Sequence, residues 1–196
     1  MVGSTLEHPA VLLGAVHDVG RLRVGLRLAR ASDGDRVRDF LERLSPETCL
    51  RRFGTPVPRV GESLVRHFTL PDGRRRFAVL ATAPADHTER VIGIADVALL
   101  RSGTAEIAFV VDDDLQGRGV GRVLAGAAAS LAARRGVRRL RAEVGGGGPA
   151  ALALMKRLGP TMSRIEEGSS VAYTTLPVPA ESGDSPAVEL GERRAS

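Results

Sequence analysis

A chain of 196 residues has room for one domain of about 150 residues with tails, enough for a real core but too little for a second domain. Its net charge of +5 and pI near 10.7 would admit nucleic acid, a membrane surface or an anionic cofactor. Aromatic residues at 3% with no Trp leave little to stack bases on, which sets nucleic acid aside, and no stretch approaches the roughly 18 uninterrupted apolar residues of a membrane span. Lys156 is the sole lysine among 28 basic residues, so the pI mostly reflects arginine usage. Cys49 is the only cysteine, which excludes an intrachain disulfide, fits a reducing compartment such as the cytoplasm, and reads as a small buried side chain. His8, His17, His67 and His87 lack the close pairing of zinc ligands, so no metal is expected.

Residues 1–21 contain a brief apolar run, Ala10 to Val16, without basic flanks or a small-residue cleavage pattern. They read as a poorly ordered leader, the alternative being a strand or helix added at a homodimer contact. Val24, Leu26 and Leu28 alternate as in a strand, and Ser32-Asp33-Gly34-Asp35 has the spacing of a capping box. Val37, Phe40, Leu41 and Leu44 then form one helical face. Ser45-Pro46 starts a second short helix that runs to Phe53 and stops at Gly54. Pro56 to Pro58 and Gly61 mark a loop, Ser63 to Phe68 a further short helix, and Arg74-Arg75-Arg76 a solvated turn. Phe77–Ala83, Val91–Leu100 and Thr104–Val111 read as three antiparallel strands in series.

The most informative stretch is Thr104 to Arg122. Along its strand Ile107, Phe109 and Val111 share one face, while Glu106, Ala108 and Val110 share the other. Glu106 thus has small apolar neighbours, a setting that disfavours the charged form and suits a general base. From Gln116 the order is Gln-Gly-Arg-Gly-Val-Gly before an Ala-rich helical stripe of Val120, Val123, Leu124, Ala127, Ala128 and Leu131. Strand, glycine turn and helix together let successive backbone N–H groups converge on one anion at a helix N-terminus. Dinucleotide and P-loop templates fail on spacing, since Arg122 stands where the former needs glycine and no Gly-Lys-Ser/Thr follows. Gly136 ends the helix, and Leu140–Val144 returns parallel to the Glu106 strand. Gly145 to Gly148 lead into Pro149 and a helix with Ala151, Leu154, Met155 and Leu158 on one face. Thr161–Glu166 and Ser169–Leu176 close the domain as a hairpin around Gly168, with Tyr173 read as core, and the proline-bearing residues 177–196 read as a disordered tail.

Gln-x-x-Gly-x-Gly, occupied by Gln116, Gly119 and Gly121 directly after Ala105 to Val111, resembles the signature of the GNAT superfamily of N-acyltransferases. Leu28-Ala29-Arg30-Ala31-Ser32-Asp33, Leu44-Ser45-Pro46-Glu47-Thr48 and Arg51-Arg52-Phe53 are similar to the opening of bacterial protein lysine acetyltransferases of the Pat type, whose opening helices border the acceptor side of the cleft. The resemblance covers Leu22 to Leu176. It implies an α/β fold with a central, mixed and mostly antiparallel twisted sheet of about six to seven strands, flanked by helices, whose two parallel strands splay to admit pantetheine. It further implies acetyl-CoA as co-substrate, held by Phe109, Val110 and Val111 along the strand and by Gln116, Gly117, Arg118, Gly119, Val120, Gly121 and Arg122 at the diphosphate. Glu106 would be the general base for transfer to a protein lysine or another primary amine. The family's usual asparagine and tyrosine are replaced by Gly148 and Met155, so two alternatives stay open: a small-amine acetyltransferase, and a lapsed acyl-CoA-binding module.

Overall fold

The computed structural model describes residues 13–56, 60–72, 74–85, 88–144 and 148–177. Its strands are β1 (Val16–Val19), β2 (Leu22–Leu28), β3 (Arg76–Ala85), β4 (Thr88–Leu99), β5 (Thr104–Val111), β6 (Arg139–Glu143), β7 (Thr161–Glu166) and β8 (Ser169–Thr175). Its helices are α1 (Gly34–Arg43), α2 (Pro46–Phe53), α3 (Glu62–Thr69), α4 (Val120–Arg134) and α5 (Gly148–Leu158). One sheet in the order β1-β2-β3-β4-β5-β6-β8-β7 contains all eight strands. Every pairing is antiparallel except β5 with β6, as a crossover through α4 allows.

The eighth strand corrects the expectation of six to seven. β1 lies within the residues read as a leader, where Val19 pairs with Leu22 across a two-residue turn. Four residues with one exposed face carry too little alternation to announce a strand. Residues 1–12, 57–59, 73, 86–87, 145–147 and 178–196, including His8, His87, most of the glycine run and nearly all of the expected tail, lie outside the described residues.

Two apolar layers sandwich the sheet. On one face Ile92, Ala105, Ile107 and Leu140 pack with Val120, Leu124 and Ala128 of α4 and with Met155 of α5. The small side chains of α4 bring it close to the strands. On the other face Leu80, Ile94 and Val110 meet Phe40 and Leu41 of α1 and Phe68 of α3. Cys49 is buried in this second layer. The helix starts are built locally. Asp33, in a short 3-10 turn from Ala31 to Asp33, accepts the Arg30 N–H at 2.8 Å, so the cap forms there rather than at Ser32. Ser45 caps α2 by accepting the Thr48 N–H at 3.2 Å.

What positions the site is the parallel pair. β5 and β6 are paired only through Thr104–Arg139, Ala105–Leu140 and Glu106–Arg141. Beyond Glu106, β5 continues to Val111 bonded to β4 alone, while β6 stays with β8. The sheet is therefore split at Glu106, and the split opens toward the N-terminus of α4.

Candidate active site

A cleft of about 1040 Å³ occupies this split. Its floor is β5, from Glu106 to Val111, and one wall is the turn Gln116–Gly119 with Gly121 and Arg122 of α4. Opposite lie Ala151, Leu154 and Arg157 of α5 with Ala142 and Glu143 of β6. Thr48, Arg51, Arg52 and Phe53 of α2 close another side, and Asp18, Val19 and Gly20 of the β1–β2 turn close the last.

The turn has the geometry of an anion site. Gly117 and Gly119 adopt φ of 74° and 95°, a left-handed conformation that costs other residues about 1–2 kcal/mol. The N–H groups of Gly117, Gly119, Val120 and Gly121 have no acceptor among the described residues. Those of Gln116, Arg118 and Arg122 donate to Asp113 O at 3.2 Å, Leu115 O at 3.4 Å and Gly119 O at 3.0 Å. The expected run of free amides from 116 to 122 is thus narrower, because the 3-10 turn Asp113–Leu115 and the first turn of α4 use three of them. A helix N-terminus with several unpaired donors favours a phosphate-type anion, and Arg118, Arg122 and Arg157 line the same cleft.

Two residues assigned to the cofactor turn their side chains away from it. Val120 is fully buried in the core, since the first residue of α4 turns its side chain onto the sheet. The Gln116 amide is turned back, donating through Nε2 to Val111 O at 3.1 Å and Thr48 Oγ1 at 3.1 Å. It braces the turn against the strand end and α2. Asp113 completes this brace. Its carboxylate accepts from Ser45 N at 2.9 Å, Ser45 Oγ at 2.8 Å and Thr48 Oγ1 at 2.6 Å. Burial works to raise the Asp113 pKa, but the hydrogen bonds from Thr48 and Ser45 and the charge of Arg51 outweigh it and hold the group below the usual carboxylate range.

Glu106 opens on the cleft beside Ile107 and Ala108, but not in the apolar enclosure expected. Its side chain is 46% exposed and ion-paired with Arg141 Nη1 at 3.0 Å. Arg141 reaches Glu106 because the parallel register sets the two side by side. Its Nη2 contacts Glu166 at 3.2 Å, and Tyr173 donates to Glu166 at 2.7 Å. Tyr173 is accordingly part of a charged row on the sheet surface rather than core. Met155, at the place of the family's tyrosine, is fully buried, and Leu154 faces the cleft in its stead.

Arg52 is the other unexpected feature. No acceptor is within reach of its guanidinium among the described residues, and its Nε is shielded from solvent. Leaving a buried charged donor unpaired costs about 1–3 kcal/mol or more. Burial lowers its pKa, opposed by the charges of Asp96 and Glu106. Arg141, Asp113 and the β1–β2 turn were missed in the sequence, and Arg52 was singled out there only within the Arg51-Arg52-Phe53 resemblance. Only the Arg141–Glu106 contact had a usable signal there, the register of the parallel pair.

The acetyltransferase (GNAT) family model matches residues 39–159. The chain belongs to this family. It is 34% identical over 154 residues to acetyltransferase Pat of Mycolicibacterium smegmatis, covering 71% of this chain and 46% of that protein. It is 32% identical over 124 residues to acetyltransferase PA5475 of Pseudomonas aeruginosa, covering 63% of this chain and 66% of that protein. Among solved structures, the GNAT domain of S. lividans PAT superposes with a TM-score of 0.68 at 29% identity, covering 82% of this chain and 94% of that one. A cAMP-binding acyltransferase from Mycobacterium smegmatis superposes at 0.57 and 28% identity, covering 88% of this chain and 51% of that one. The chain thus spans about half the length of two of these GNAT relatives. A phosphinothricin acetyltransferase from Sinorhizobium meliloti in complex with AcCoA, at 22% identity and a TM-score of 0.59, shares the GNAT fold.

Proposed function

We propose that this protein transfers an acetyl group from acetyl-CoA to a primary amine, with a protein lysine as the acceptor, by direct attack in a ternary complex. The observation that carries the reading is that unpaired amides at Gly117, Gly119 and Gly121 and the carboxylate of Glu106 open on one cleft. In this reading the diphosphate rests on those amides with Arg118 and Arg122 at its oxygens. Pantetheine follows Phe109 to Val111, whose outer edge β6 has left unpaired, and the thioester arrives near Glu106.

An alkylammonium with a pKa near 10.4 is only about one part in 10³ neutral at pH 7, so the reaction needs a base. Glu106 takes the amine proton, directly or through one water, and nitrogen attacks the acetyl carbon. The C–S bond then breaks, the excess proton left on nitrogen passes through water to the CoA thiolate, and Glu106 returns its proton to solvent. The single buried thiol and a CoA thioester donor accord with the cytoplasm. The catalytic unit reaches from about Leu22 to Leu176, with β1 added at the sheet edge.

Glu106→Gln is expected to lower kcat by about 10² to 10⁴ with acetyl-CoA affinity nearly intact, measured by thiol release on lysine peptides and by calorimetry. Unchanged turnover would remove Glu106 from the role. A second reading, an acyl-CoA-binding module without transfer, is favoured by the buried Met155 and the Glu106–Arg141 pair. CoA binding with no thiol release on any peptide or free amine would select it.

A further inference from the structure

Arg52 stands apart from every other charge near Glu106. The carboxylates whose fields reach it, Asp96 and Glu106, are each held by another cation. Asp96 contacts His67 at 2.8 Å and Arg76 at 3.5 Å through Oδ2, while its buried Oδ1 has no partner among the described residues, and Glu106 contacts Arg141 at 3.0 Å. The next carboxylate along the row, Glu166, is shared by Arg141 and Arg164. Once these pairs are matched, the guanidinium of Arg52 is the positive charge left over beside Glu106, in a cleft that Arg118, Arg122 and Arg157 also line.

Its placement is not that of a solvated surface arginine. The neighbouring Arg51, also in the last turn of α2, is paired with Glu47 at 2.9 Å and Thr48 at 3.0 Å. Arg52 instead lies with its Cζ 5.0 Å from the Phe53 ring centroid, its Nε buried without a partner, and lines the cleft together with Glu106. A planar fork of donors, partly desolvated and backed by an aromatic ring, is suited to a carboxylate. In the acyl-transfer reading the diphosphate takes the α4 turn and its own arginines, which leaves Arg52, beside Glu106, to meet an anion at the reacting end of the cleft.

We infer that Arg52 forms a carboxylate subsite beside Glu106, so that one of the two reactants carries a free carboxylate. It belongs either to the acyl group, as in a dicarboxylic acyl-CoA, or to the acceptor, as in a free amino acid. The inference rests on the acyl-transfer reading of the cleft but revises its substrate pair: a carboxylate on the acyl group would replace acetyl, and one on the acceptor would replace the protein lysine by a free amino acid. It adds no chemical step: the carboxylate is bound and not consumed.

The test is a set of calorimetric titrations of wild type, Arg52→Gln and Arg52→Lys. One arm compares succinyl-CoA with butyryl-CoA. The other, with CoA present, compares free L-lysine with cadaverine, which lacks the carboxylate. Wild type is expected to prefer the carboxylate member of one pair by about tenfold or more, and the arm that shows it identifies the source. Arg52→Gln should erase that preference and Arg52→Lys keep part of it. No preference by wild type in either arm, or a preference that survives Arg52→Gln, overturns the subsite. Because wild type alone can refute the inference, a variant that folds poorly does not protect it. CoA binding without thiol release on any acceptor would sink acyl transfer instead, leaving the ligand preference to be judged on its own.

Discussion

Gly119 shows how much one residue carries in this cleft. Its φ of 95° is the left-handed region, and an added Cβ would meet Val19 Cγ1 at 3.2 Å. Gly117 has φ of 74° with nothing within 4 Å of the added atom. The pair separates backbone strain from packing. Gly117→Ala should cost about 1–2 kcal/mol from strain alone, whereas Gly119→Ala should cost more, because β1 must also give way. Adding Val19→Ala should recover the excess in Gly119→Ala and nothing in Gly117→Ala, read by urea unfolding as a double-mutant cycle. Equal losses in the two glycine variants would show that β1 does not brace the turn. At this scale the sequence was legible where a residue type has few uses. The glycines at 117, 119 and 121 and the lone acid on β5 announced themselves. Arg52 and Arg141 did not stand out by residue type, because a chain with so many arginines gives no single one a signal and only the fold sets them beside Glu106.

Among the elements, α2 and the turn before α4 behave as one piece. The Asp113 carboxylate ties the N-terminus of α2, through Ser45 and Thr48, to the turn, and Gln116 adds a second tie to Thr48. Asp113→Asn should cost about 1–3 kcal/mol at neutral pH, since donors lose a charged acceptor. The folded state holds Asp113 more acidic than the unfolded state does. Its contribution is therefore fully present above about pH 4 and is lost as the pH falls through the lower folded value. Wild type and Asp113→Asn should thus differ in stability at pH 7 and converge in acid, measured by denaturant unfolding across that range. A gap that stays constant with pH would contradict the assignment. Asp33, Asp72, Glu89 and Glu166 are also held low and add to the acid sensitivity. The helices themselves were readable from periodicity, with α2 bounded by Pro46 and Phe53 as expected. The brace was not, because Ser45 and Asp113 are 68 residues apart and joined only by side chains.

For the molecule as a whole, function depends on a sheet divided at Glu106. Three paired positions hold β5 to β6; past them the strands separate, and α4 presents its N-terminus at the opening. The three antiparallel strands in series and the parallel return were legible, because a helix of fifteen residues between two apolar runs leaves few other connections, whereas the insertion of β8 between β6 and β7 was not. The edge strand β1 was not, being four residues long with an exposed face, yet Val19 from its turn lines the cleft. The most direct measurement of the central claim is an amide-resolved NMR titration of the labelled protein with CoA. The account predicts that the N–H signals of Gly117, Gly119 and Gly121 move first and furthest, as their free donors acquire phosphate oxygens, with Ile107 to Val111 following. Saturable CoA binding that leaves those three glycine signals in place would contradict it.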